Sequence, residues 1–191
     1  MTGTLDILNG RWKILALLIG GACLAFGQGR WPIPVAAWIA PLLLLAAVRS
    51  LPLWRGFLGL VLVHTVAWEV AYMGMVKMPM FARWGLFFGL SVVMGMIYLA
   101  DRWASRRSDG FWTTLVFPTG WVAFDFLNGR FSPNGSWGSI AYTFTDQPAL
   151  LQVTSLVGWT GLTFLVGWVA SVTLWTWHQR QSQPLVLRRV G

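Results

Sequence analysis

The sequence predicts an all-α fold: a polytopic membrane bundle of about six transmembrane helices, with no soluble catalytic domain. Three observations predict it. Of the 191 residues, 56% are hydrophobic and only 10% are charged, whereas a soluble domain carries about 25% charged residues. Fourteen tryptophans and 21 glycines stand in the chain, and both types are enriched in membrane proteins. The apolar residues fall into runs, and the basic residues sit between the runs, one to three at a time. A net charge of +8 therefore reads as loop charge that sets membrane orientation, not as a basic face for nucleic acid.

Residues 1–13 form a short polar lead with Arg11 and Lys13. A first span covers 14–27 and a second 34–48, the second with Pro32, Pro34 and Pro41 at or near its start. The first run is not a signal peptide. No small-residue cleavage site follows it, and Gly27-Gln28-Gly29-Arg30 leads straight into the next run. Both runs are shorter than the about 20 residues a crossing helix needs. Either they cross, extended to Trp12 and Trp31 as interfacial anchors, or they form a hairpin that dips in and returns. Both choices leave the later topology the same.

The third span, 56–76, holds His64 and Glu69. The fourth, 84–100, lies between Arg83 and Asp101 and carries Gly85 with Gly89, then Ser91 with Gly95, each pair four apart. Small residues at that spacing let helix backbones approach closely in lipid. The fifth, 111–127, has Pro118 in its first half, where neighbouring helices re-satisfy the freed carbonyl. The sixth, 155–177, shows a second small-residue ridge at Thr163, Gly167 and Ser171. A tail, 178–191, closes the chain.

Alternate connections carry ten lysines and arginines against four. Basic residues concentrate on the cytoplasmic side, so both termini are expected there, with the 128–154 loop outside. That loop is long for a connection between packed helices. Phe131, Trp137, Tyr142 and Phe144 are expected at headgroup level, with Gly129, Gly135 and Gly138 turning the chain between them. The loop should fold over the outer mouth of the bundle.

Intramembrane ionisable groups are the first candidates for function, because a carboxylate in a span is costly and needs a partner. Glu69 lies mid-run, and Tyr72, one turn on, shares its face and is placed to donate it a hydrogen bond. The functional reading is a polar anchor for a lipid headgroup or a proton site; the plain one is a hydrogen bond between helices. His64, five residues back, is off that face and reads as a packed core residue. Asp125 and Asn128 share a face at the outer end of the fifth span, with Arg130 just beyond. This trio either holds a zwitterionic or anionic headgroup or caps and pairs a helix end. With Trp137 and Tyr142 on the rim, these residues make the candidate lipid-binding set.

No catalytic machinery is recognisable. Cys23, the single cysteine, lies in an apolar run without an acid or base. No metal-ligand spacing, phosphate loop or nucleophile elbow occurs, so no metal or cofactor is expected. Ser136 sits in a Gly-flanked turn, but no histidine lies near it in sequence.

A resemblance adds to this reading. Phe117-Pro118, Trp121-Val122-Ala123 and Asp125-Phe126-Leu127 lead into Gly135-Ser136-Trp137-Gly138-Ser139 with Ala141-Tyr142. Leu151-Gln152, Ser155-Leu156, Gly158, Trp159, Gly161 and Phe164-Leu165 follow, and the early Leu24-Ala25-Phe26, Trp31-Pro32, Trp38 and Pro41 belong to the same pattern. In these residues the chain resembles the membrane region of bacterial apolipoprotein N-acyltransferase. The family usually has a glutamate and an arginine where Asp125 and Asn128 stand here. The resemblance implies a two-step acyl transfer, from phospholipid to an enzyme cysteine and then to the amino group of a diacylglyceryl-modified lipoprotein cysteine. In the family, a nitrilase-like domain beyond a further span supplies the Glu–Lys–Cys catalytic set. The chain is therefore expected to be the membrane part alone, a fragment or one half of a split enzyme, binding phospholipid but inactive by itself. The alternatives are a stand-alone membrane protein that binds or moves a small solute or proton at Glu69, and a structural partner subunit of a separately encoded nitrilase-like protein.

Overall fold

Where the chain can start a helix is set largely by proline. The computed structural model describes residue 8 and residues 10–187. Most of the expected 1–13 lead and the last four residues of the tail lie outside these. Among the described residues there are six α-helices and no strand: α1 (Trp12–Phe26), α2 (Pro34–Ser50), α3 (Leu53–Ala71), α4 (Met80–Arg107), α5 (Val116–Phe131) and α6 (Pro148–Leu187). Pro34 and Pro148 open α2 and α6, and Pro52 and Pro79 precede α3 and α4. In a first turn proline has no helical N–H bond to lose, and its fixed φ already suits the helix. Pro118 obeys the same rule. The apolar run puts it inside a span, but a 3-10 helix, Phe111–Leu115, precedes α5 and places Pro118 in the first turn.

Three helices, α3, α4 and α6, are long and apolar enough to cross a membrane. The helices α1, α2 and α5 are shorter, at 15, 17 and 16 residues. Helix α1 packs against α2, α3 against α4 and α5 against α6; α1 also packs on α3, and α2 touches α3, α4 and α6. This central position explains its composition. Ala37, Ala40 and Ala47 are fully buried beside Leu44, Leu45 and Val48, because small side chains let several backbones close on one helix. The outward surface is apolar as well: Leu62, Phe88 and Leu156 are all more than half exposed.

The two small-residue ridges differ in fate. On α6, Thr163 and Ser171 are fully buried, and a Cβ on Gly167 would stand 3.2 Å from the Pro118 Cα. On α4, Gly95 meets Phe57 and Val61 of α3, whereas Gly85 and Gly89 face open space and pack against nothing. The expectation of close packing at Gly85 and Gly89 is thus corrected. They lie on the outward face of α4, and spacing alone does not say which face has a neighbour.

The 128–154 connection is shorter than expected. Helix α5 runs on to Phe131 and α6 starts at Pro148, so only residues 132–147 connect them, with a 3-10 helix at Ile140–Phe144. Phe144 is fully buried against the Trp38 ring at 5.6 Å. It belongs to the core and not to the rim, because Thr143 ties this turn to the Gly27 carbonyl at 2.7 Å. Within α6, Gly158 breaks the helix with φ 71° and ψ 178°.

Several cations read as loop charge are helical. Arg49 and Arg102 are buried at the end of the bundle opposite the 132–147 connection, where Arg49 pairs with Asp101 and Arg102 bonds the Val48 carbonyl. Arg83 lies in the first turn of α4 and binds Glu69.

At the other end the α1–α2 turn crosses the end of α3. Gly29 has φ +79°, and a Cβ there would collide with the Ala71 carbonyl. Gly29→Ala is expected to lower stability by about 2 kcal/mol, from left-handed strain plus displaced backbone. Thermal unfolding in detergent measures it, and an unchanged midpoint would refute the tight crossing.

Candidate functional site

A pocket of about 120 Å³ lies between α3, α4 and α5, bordered by the first part of the 132–147 connection. Its wall is apolar, with Trp68, Phe87, Leu90 and Phe124. The Trp68 ring stacks on Phe124 at 6.3 Å and meets Phe87 edge-on at 6.1 Å. Polar groups stand at one end: Asp125, Asn128, Tyr72 and the backbone of Gly138.

Asp125 is buried near the end of α5. Ser139, at the head of the second 3-10 helix, and Thr163, on α6, each donate a hydroxyl to its Oδ2 at 2.6 Å. The two donors hold the loop and α6 to α5. Among the described residues none donates to Oδ1, so one carboxylate oxygen remains an open acceptor in the pocket lining. Trp68 is the converse. Its indole Nε1 is buried without a hydrogen-bond partner, and a buried unpaired donor is costly to leave so. The pocket thus combines an apolar wall with an open acceptor, while the unpaired indole N–H is closed off from it.

The expected bond from Tyr72 to Glu69 is not made. Tyr72 donates its phenol O–H to the Gly138 carbonyl at 3.0 Å, and its ring lies 4.9 Å from that of Trp137. Glu69 instead binds Arg83, whose Nε lies 2.8 and 2.9 Å from its two oxygens and whose Nη2 also reaches Oε1. An arginine fork satisfies a carboxylate better than one phenol does. His64 is buried against Trp68, with ring centroids 4.7 Å apart, and its Nδ1 has no partner.

A family model of the apolipoprotein N-acyltransferase N-terminal domain matches residues 20–172. The chain belongs to that family. No curated protein and no solved structure matches it. Together with the three long apolar helices, this makes the chain a membrane protein, a membrane domain related to apolipoprotein N-acyltransferase.

In this N-acyltransferase-related membrane domain the sequence-predicted residues divide into three groups. Tyr72, Asp125, Asn128 and Trp137 line the one pocket. Tyr142 lines an adjoining recess with Trp137 and shares a hydrogen bond of 2.7 Å with Ser136. Glu69 is committed to Arg83, and Arg130 is exposed and does not line the pocket. Sequence reasoning missed Trp68 and Phe124 in the wall and Ser139 and Thr163 on the carboxylate. Trp68 adjoins Glu69, yet the next residue on a helix points about 100° away. The available signal was the hydroxyl residues: Ser139 sits in the Gly-rich turn and Thr163 heads the small-residue ridge.

Proposed function

We propose that the pocket between α3, α4 and α5 binds a phospholipid near the outer leaflet and presents it for acyl transfer in lipoprotein maturation. One observation carries this reading: an apolar wall stands beside an open carboxylate oxygen at Asp125. The wall suits the first few carbons of an acyl chain, and the carboxylate suits the ammonium of a zwitterionic headgroup or of a diacylglyceryl-modified lipoprotein N-terminus. Asn128 and Trp137 line the pocket and Tyr142 the adjoining recess, while Arg130 is exposed outside it. In this reading both termini are cytoplasmic, the membrane is the bacterial inner membrane, and a nitrilase-like domain supplies the chemistry. The Glu69–Arg83 pair speaks for a structural role of that carboxylate and against a proton path.

The experiment is retention of zwitterionic phospholipid by the purified chain, followed by native mass spectrometry. Asp125→Asn keeps a carbonyl oxygen for Ser139 and Thr163 but removes the charge, and is expected to weaken retention about tenfold. Trp68→Ala removes the largest part of the apolar wall, and should weaken it in the same direction. Unchanged retention in both variants, with helicity intact, overturns the reading. The purified chain is further expected to transfer no acyl group to a diacylglyceryl-modified peptide, since Cys23 lies within α1 without a base beside it; measurable transfer would refute this.

A further inference from the structure

A second groove lies on another side of α3. It runs between α1 and α3, occupies about 430 Å³, and has only apolar lining. Leu18 and Phe26 of α1 and Leu62 and Val66 of α3 form its exposed walls, while Gly21 and Ala25 form a low floor. The residues along α1 from 18 to 26 span about 12 Å, close to the depth of one leaflet of a hydrocarbon core about 30 Å thick.

One end of this groove carries a cation. The Arg30 N–H donates to the Ala71 carbonyl at 2.8 Å, directly after Val70 at the groove's end. The Arg30 side chain is exposed. Its Nη1 lies 3.4 Å from the Met73 carbonyl, and its guanidinium sits 5.2 Å from the Trp31 ring centroid. No carboxylate pairs with it among the described residues, and the nearby acid, Glu69, is bound to Arg83. A positive charge without a paired carboxylate thus stands just beyond the groove's end, with Trp31 beside it.

We propose that this groove is a resident site for one acyl chain of an anionic glycerophospholipid, with its phosphate against Arg30. The occupant follows from the pairing of features. A wholly apolar furrow in the hydrocarbon zone takes a chain, and a lone arginine at the interface takes a phosphate. The absence of a paired acceptor favours net negative charge over a zwitterion, in contrast to the Asp125 pocket. The site lies apart from that pocket and holds lipid that stays, sealing the α1–α3 seam, while substrate lipid is exchanged elsewhere.

The test is photolabelling of the full chain in nanodiscs. Phosphatidylglycerol or phosphatidylethanolamine carries a diazirine on one acyl chain, and adducts are mapped by peptide mass spectrometry. Phosphatidylglycerol is expected to label groove-facing peptides of α1 and α3 above the outward face of α4 around Phe88 and Met96. Arg30→Gln should reduce that labelling about fivefold while leaving phosphatidylethanolamine labelling unchanged. Ala22→Phe, which fills the furrow, should reduce groove labelling by both lipids and leave adducts near Trp68 in place. Even labelling of all outward faces, insensitivity to Arg30→Gln, or a groove left unlabelled because a second copy covers it would each overturn the proposal. Loss of label near Trp68 alone would instead count against the substrate pocket.

Discussion

Arg49→Ala and Asp101→Ala are each expected to lower stability by about 3–5 kcal/mol, more than the loss expected at Gly29 or Asp125. The pair is fully desolvated, with side-chain exposures of 4% and 0%. It is also bidentate: Arg49 Nε donates to Oδ2 and Nη2 to Oδ1, both at 2.8 Å. Removing one partner leaves the other as a buried charge without its partner, and that penalty dominates. Arg49→Lys should lose much of the stability too, since an ammonium cannot reproduce the planar fork. The double replacement Arg49→Met with Asp101→Leu removes both charges and should recover most of it. Thermal unfolding in detergent gives all four values. A double variant no better than the worse single one would show that the pair is more than charge compensation.

The second large effect is expected at Asp125. Asp125→Ala strips the acceptor from Ser139 and Thr163 and should cost about 2–3 kcal/mol, the worth of hydrogen bonds to a charged group. The loss should be local. Hydrogen exchange ought to rise in residues 132–147 and at the kinked start of α6, while α1 and α2 keep their protection. Asp125→Asn should preserve most of this protection. Uniform deprotection of the bundle would contradict the role of Asp125 as a tie between loop and helix.

Much of the helical layout was legible because apolar runs and prolines are local signals. The six runs correspond to six helices, and the ridge at Thr163, Gly167 and Ser171 does pack. What failed depended on partners from distant sequence. Tyr72 shares a helical face with Glu69, yet an arginine 14 residues on from Glu69 captured the carboxylate and a loop carbonyl captured the phenol. Gly85 and Gly89 have the spacing of a contact but no neighbour. Arg49 and Asp101, 52 residues apart, stand near the ends of their runs and so looked like loop charges. In the candidate site, the three outer residues Asp125, Asn128 and Trp137 were legible as polar or aromatic interruptions of apolar sequence. Trp68 was not, since a tryptophan inside an apolar run has nothing to distinguish it.

The break at Gly158 has its own consequence for how this chain tolerates change. A hydrogen-bonded helix transmits phase: one inserted residue turns everything on one side by about 100°. Because the backbone at Gly158 is not helical, the stretch before it need not keep step with the stretch after it. An insertion at 152 would re-aim the short stretch up to Gly158, Val153 and Leu156 among it, whereas one at 160 would swing Thr163 away from its carboxylate. Length variation should therefore accumulate on the upstream side alone.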